Sequence, residues 1–163
     1  MGSIEITARR PEDQAWVEAL LLARWGGGTI VSRGRVHDAA ALPAFVAHRG
    51  GSRQGLATWR IEAGELELVT LDAVTRSVGV GTALLVEVAR EARAASCGRC
   101  VLITTNDNLD ALAFYQKRGW RLTGLNPGAI DRARAIKPGI PFVGDSGVPI
   151  RDELELTLPL ERA

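Results

Sequence analysis

"LDAVTRSVGVGTALL", Leu71 to Leu85, sets two glycines, Gly79 and Gly81, directly before an apolar run. Glycine costs roughly 1 kcal/mol more than alanine inside a helix. Two of them at a helix start therefore serve the backbone, either in a tight strand-to-helix turn or by letting a ligand approach the main chain. A dinucleotide fingerprint would need a third glycine, and Leu84 stands at that position. No glycine is followed by Lys-Ser or Lys-Thr, so the stretch is not a P-loop. What the pattern keeps is a helix N-terminus with N–H groups cleared of side chains. Together with the helix dipole and Arg76, such a terminus makes a nest for a phosphate anion.

The flanking segments set the fold class. "AFVAHR", "QGLATWRIE" and "ELELVTL" follow one another across very short connections, which implies antiparallel hairpins. Upstream, "SIEITARR" alternates as a first strand. Pro11 then opens a helix with Trp16, Leu20 and Ala23 on one stripe, stopped by Gly26, Gly27 and Gly28. "TIVSRGRVHDAAALP" starts strand-like and stays unassigned. Downstream, "VGTALLVEVAREARAA" carries Leu84, Leu85, Val88 and Ala92 at helical spacing. "RCVLITT" is a β-branched strand. "NLDALAFYQKRG" is a helix with Asn108 near its cap and Gly119 as its terminator. After "WRLTG" comes a Gly/Pro-punctuated insertion, Asn126 to Pro149, with a short helix around Ile130 to Ile136. The last strand, "IRDELELTLPL", has one apolar face interrupted by Asp152. The sum is an α/β (α+β) chain forming a single domain over residues 1–163.

Bulk properties remove several function classes. At 163 residues with 46% hydrophobic content, the chain is long enough to bury a full core. A net charge of +1 asks for neither a nucleic acid nor a membrane surface. No uninterrupted apolar run approaches a membrane span and the N-terminus is no signal peptide, so a cytoplasmic location is expected. Cys97 and Cys100 form a CxxC, but His37 and His48 stand at no zinc-ligand spacing. The expectation is a buried strand start and no metal.

Two stretches carry a family resemblance. Arg76, Gly79 and Gly81 match the pattern Q/R-x-x-G-x-G/A, the acyl-CoA pyrophosphate loop of the GNAT superfamily of acyl-CoA-dependent N-acyltransferases. "NLDALAFYQKRGW" is similar to that family's N-x-x-A-x-x-F/L-Y-x-K/R-x-G-F/W, with Asn108, Ala111, Phe114, Tyr115, Lys117, Gly119 and Trp120 in register. The order of elements also resembles the GNAT fold, a mixed central sheet flanked by helices. "IKPGIP" and "GVPIRDELEL" resemble a subgroup whose substrate is unassigned. The insertion departs from the simple hairpin common in the family, which leaves the acceptor open.

The resemblance implies acetyl-CoA as donor and distributes roles. Backbone groups of Leu71, Asp72 and Ala73 would pair with the pantetheine arm. The N–H groups of Arg76, Ser77, Val78, Gly79, Val80, Gly81 and Thr82 would take the pyrophosphate. Asn108 would hydrogen-bond the pantetheine, with Ala111 and Tyr115 beside it. Tyr115 is implied as the acid for the leaving thiolate, its alternative being an aromatic packed beside Phe114. Glu65 and Glu67 share one side of "ELELVTL" and precede Arg76 by eleven and nine residues, offsets at which the family places bases. Their alternative is a solvent-facing pair, and Glu67 is favoured as the base. His37 and Asp152 are candidates for the acceptor wall, with His37 a further candidate base. The expected activity is acetylation of a primary amine, a small molecule in the first reading. A peptide or protein acetyltransferase and a non-catalytic acyl-CoA sensor are the alternatives. A homodimer stays open.

Overall fold

The computed structural model describes residues 2–76 and 78–161. Strand β1 (Glu5–Ala8) leads through a single 3-10 turn into helix α1 (Gln14–Trp25), which Gly26 closes at φ +75°. The unassigned segment is a small hairpin, β2 (Thr29–Ser32) against β3 (Arg35–Asp38). Strands β4 (Ala44–Arg49), β5 (Ser52–Glu62) and β6 (Glu65–Ala73) form the expected antiparallel run. Helix α2 (Val80–Ala94), strand β7 (Arg99–Thr105) and helix α3 (Leu109–Gln116) follow. Strand β8 (Arg121–Asn126), helix α4 (Ala129–Arg134) inside the insertion, and strand β9 (Glu153–Pro159) complete the chain.

The main sheet runs β1-β4-β5-β6-β7-β9-β8, with β6 and β7 its one parallel pair. That pair is what the α2 crossover produces. The sheet buries both faces. Leu66, Leu68, Leu102 and Leu156 pack with Val80, Leu84, Val88 and Tyr115 under α2 and α3. Val46, Leu56 and Val69 pack with Val17 and Leu21 of α1 and with Ile30 of the β2–β3 hairpin. Gly55 on β5 sets the α2 distance. A Cβ there would overlap Val80 Cγ1 and lie 3.0 Å from both Leu84 Cδ1 and the Asp72 carbonyl oxygen. Among the described residues, no helix is long and apolar enough to cross a membrane.

Two irregularities in β6 place the site. The β5–β6 register slips by one, so that Thr58 faces Thr70 while Trp59 faces Leu68, leaving Val69 bulged. The β6–β7 ladder ends at Leu68 and Leu102, and beyond it β7 pairs only with β9. The two strands part where β6 carries residues 69–73.

Candidate active site

Side chains of Glu65 and Glu67 alternate onto the α1 face of the sheet, where the β2–β3 hairpin covers them. Glu67 is only 2% exposed. Its Oε2 accepts from Ser32 Oγ at 2.6 Å and its Oε1 accepts from Arg33 Nη2 at 2.8 Å. Arg60 Nη1 lies 3.9 Å from the same Oε1. The Arg33 guanidinium also reaches Glu65 Oε1 at 2.7 Å, while Arg99 Nε binds Glu65 Oε2 at 2.8 Å. The Arg33 backbone N–H donates to Glu153 Oε2 at 3.1 Å. One residue at the hairpin tip thus gathers carboxylates from two strands of the sheet.

That tip is a two-residue turn with Arg33 at φ +50° and Gly34 at φ +72°. A left-handed arginine costs roughly 1–2 kcal/mol. The ion pairs to Glu65 and Glu67 and the bond to Glu153 hold it there. Burial alone would raise the Glu65 carboxyl, yet Arg33 and Arg99 hold it below the usual carboxylate range. His37 Nε2 sits 2.9 Å from Ser32 Oγ. Burial pushes the His37 imidazole below its ordinary value, against the pull of Glu67 and with help from Arg60, Arg35 and Arg33.

At the parting of β6 and β7 the main chain of β6 has no β7 partner. Trp25 Nε1 donates to the buried Asp72 carboxylate at 2.9 Å, joining the end of α1 to this segment. Burial raises the Asp72 carboxyl despite that bond. Tyr115 projects from α3 into the core beside Trp120, with ring centroids 5.7 Å apart. Its hydroxyl has no hydrogen-bond partner among the described residues. Burial, with the Asp72 carboxylate adding to it, holds the phenol protonated well beyond its ordinary range. At the N-terminus of α2, Gly79 is the cap at φ +84° and supplies no side-chain bond. The N–H groups of Val80, Gly81 and Thr82 begin the helix and have no intrahelical acceptor. Arg49 donates to the Val78 carbonyl at 3.0 Å, Arg118 to Thr82 Oγ1 at 2.9 Å, and Arg76 to Asp110 at 3.1 Å. Three guanidiniums are thus held by residues next to this helix start or, for Arg76, by α3.

A carboxylate beside a parted parallel pair, with an anion nest at the following helix, coincides with what comparison with known proteins finds. Residues 6–120 match the family model described as Acetyltransferase (GNAT) family. This chain belongs to the GNAT family of acetyltransferases. The Bacillus subtilis (strain 168) protein YdhI is 40% identical over 131 residues, 80% of this chain and 82% of that one. The IAA acetyltransferase from Bacillus cereus ATCC 14579 superposes with a TM-score of 0.77 at 21% identity, covering 97% of this chain and all of that one. A Bacillus subtilis acetyltransferase in complex with CoA gives a TM-score of 0.68 at 15% identity over 99% of this chain and 100% of that one.

Within this GNAT domain, the residues singled out from the sequence divide into groups. Glu65, Glu67 and His37 come together beneath the hairpin, with Ser32, Arg33 and Arg60, which no motif marks. Leu71, Asp72 and Ala73 lie where β6 leaves β7. Arg76, Val78, Gly79, Val80, Gly81 and Thr82 form the loop and first turn of α2, while Ser77 lies outside the described residues. Gly81 has a second use: a Cβ there would lie 3.1 Å from Phe114 Cζ, so its absence seats α3 against α2. Asn108 Oδ1 accepts from the Ala111 N–H at 3.2 Å as the α3 cap, leaving its amide nitrogen as the free donor. Asp152 precedes β9, and its Oδ1 accepts from the Gly128 N–H at 2.8 Å. That bond caps α4 in the insertion, while the neighbouring Glu153 reaches the hairpin tip. Cys97 and Cys100 are free and buried, and burial, with Cys97 adding, pushes the Cys100 thiol up to about 12.

Proposed function

We propose that this GNAT enzyme transfers the acetyl group of acetyl-CoA to a primary amine of a small molecule, with Glu67 as base and Tyr115 as acid. The observation that carries the reading is the position of Glu67. It lies two residues before the β6 bulge and next to the point where the ladder to β7 ends. The free amides of Val80, Gly81 and Thr82, unobstructed at Gly79, fit a pyrophosphate, and the unpaired edge of β6 fits an extended amide-bearing arm. Acetyl-CoA would supply the activated thioester. The Asn108 amide would donate to its pantetheine.

The acceptor ammonium must lose a proton before its nitrogen can attack. Glu67 Oε1 and Oε2 keep lone pairs beyond those used by Arg33 and Ser32, since a carboxylate offers about four. Its carboxylate lines a cavity of about 330 Å³ and can take that proton there. Ser32, Arg33 and Arg60 fix its direction. Tyr115, kept protonated by its surroundings, gives its phenolic proton to the departing thiolate.

The insertion supports a small acceptor over an extended peptide. Lys137 Nζ donates to the carbonyls of Trp25 at 2.7 Å and Thr29 at 2.6 Å, tying the insertion to the start of the hairpin, an arrangement that suits a small acceptor.

An amine panel with acetyl-CoA, followed by free-thiol release, tests the activity, and Glu67→Gln tests the base. The variant is expected to turn over roughly 10²-fold or more slowly at neutral pH. Its rate should recover as pH rises and the amine deprotonates unaided. A variant matching wild type from pH 6 to 9 would remove Glu67 from the base role.

A further inference from the structure

We infer that the acceptor carries a carboxylate beside its amine, as an amino acid does, and that Arg35 and Arg60 receive it. The inference rests on the amine-acetylation reading and names its substrate class.

The cavity of about 330 Å³ is lined by Arg33, Arg35, Arg60, Glu62, Ala63, Glu65 and Glu67. Its volume sits at the small end of ligand sites. Apart from Ala63, every lining residue is charged, so the groups at the ends of the lining side chains call for a ligand with charges of its own. Three cations and three anions line the space, a balance that suits a ligand bearing both charges.

The charges are also arranged. Arg35 Nη1, from the hairpin, and Arg60 Nη2, from β5, converge on a single oxygen, Oε2 of Glu62. Two guanidiniums aimed at one carboxylate oxygen form an oxyanion clamp. Glu62 ends β5 with its side chain 58% exposed, so a ligand carboxylate could displace it into solvent. It is a tethered stand-in for the carboxylate of the acceptor. Arg60 has a second end: its Nη1 lies 3.9 Å from Glu67 Oε1. A carboxylate on Arg60 Nη2 and an ammonium on Glu67 would thus lie at the two ends of one guanidinium, an arrangement that favours a short ligand with its amine and carboxylate close together. The ammonium reaches the base while the carboxylate is held by the clamp.

The experiment compares amino acids with their decarboxylated amines and their carboxamides as acceptors, using acetyl-CoA and free-thiol release. Wild type should prefer the amino acid by about 10–100-fold in kcat/KM, the range of a charge-assisted contact. Arg35→Gln, at a half-exposed position, should cut that preference to within about threefold through KM. Arg60→Gln should cut it as far, with a fall in kcat added because Arg60 also orients Glu67. Glu62→Gln, which weakens the stand-in, should lower KM for the amino acid. A wild-type enzyme that acetylates the decarboxylated amine or the carboxamide as well as the amino acid overturns the inference and leaves the amine reading intact. Arg35→Gln and Arg60→Gln enzymes with the wild-type preference overturn it equally. No turnover of any amine would overturn the amine reading itself.

Discussion

The Ser32 hydroxyl donates its single proton to Glu67 Oε2, 2.6 Å away. An ionised carboxylate can only accept. His37 Nε2, 2.9 Å from the same Oγ, must then carry a hydrogen and donate it, which fixes the neutral ring as the Nε2–H tautomer. Ser32, Glu67 and His37 are locked in one direction of donation.

The lock makes stability depend on pH. The unfolded chain protonates His37 near pH 6.5. In the folded chain, burial holds that protonation to lower pH, aided by Arg60, Arg35 and Arg33 and opposed by Glu67. Between those two points the unfolded state binds more protons, so stability rises with pH and falls as pH drops below about 6.5. The Tm of wild type is expected to decline from pH 7 to 5 more steeply than that of His37→Gln, which keeps a donor and cannot titrate. Parallel slopes would show that His37 titrates alike in both states.

Gly55→Ala tests the packing that places the cofactor end of the site. The added methyl meets Val80 Cγ1, Leu84 Cδ1 and the Asp72 carbonyl oxygen at once, and the last belongs to the backbone. Overpacking of this kind costs about 1–3 kcal/mol, a Tm loss of roughly 2–12 °C at this chain length. Because Val80 opens α2, the same change should weaken the thermal stabilisation expected on adding coenzyme A. Thermal melts with and without coenzyme A measure both effects. An unshifted Tm would mean that α2 has room to retreat.

Much of this was legible in the sequence because local chemistry and tertiary use agree. The run of short connections from Ala44 to Ala73 pairs as antiparallel strands, and Asn108 caps its helix. The β2–β3 hairpin was not legible. Its turn is Arg33-Gly34, where the strong signal is Asn-Gly or Asp-Gly, and Arg33 takes a positive φ only because Glu65, Glu67 and Glu153 hold it. Its inward residues include Ser32 and His37, so its buried face reads as polar. Asp152 drew attention as a charge on an apolar face, yet β9 begins at Glu153 and Asp152 serves the insertion. Gly55 gave no sign, since its neighbour Val80 lies across the sheet layer. Each of these features depends on a contact between residues distant in sequence.

Tyr115→Phe separates chemistry from packing. The hydroxyl has no partner among the described residues, so its removal should leave Tm and the coenzyme A-induced shift nearly unchanged. If the phenol protonates the leaving thiolate, turnover should fall by roughly 10²-fold or more. The pH profile carries independent information. Burial and the Asp72 carboxylate hold the Tyr115 proton beyond the ordinary phenol range, where a free phenol would titrate near pH 10. Wild-type turnover should therefore show no loss from this group up to about pH 10. Tyr115→Phe should lower the rate by the same factor across that range, because no titration intervenes. Steady-state rates from pH 6 to 10, with chemistry shown to limit them, decide the matter. An unchanged rate would leave Tyr115 with Trp120 and Phe114 as a packing aromatic.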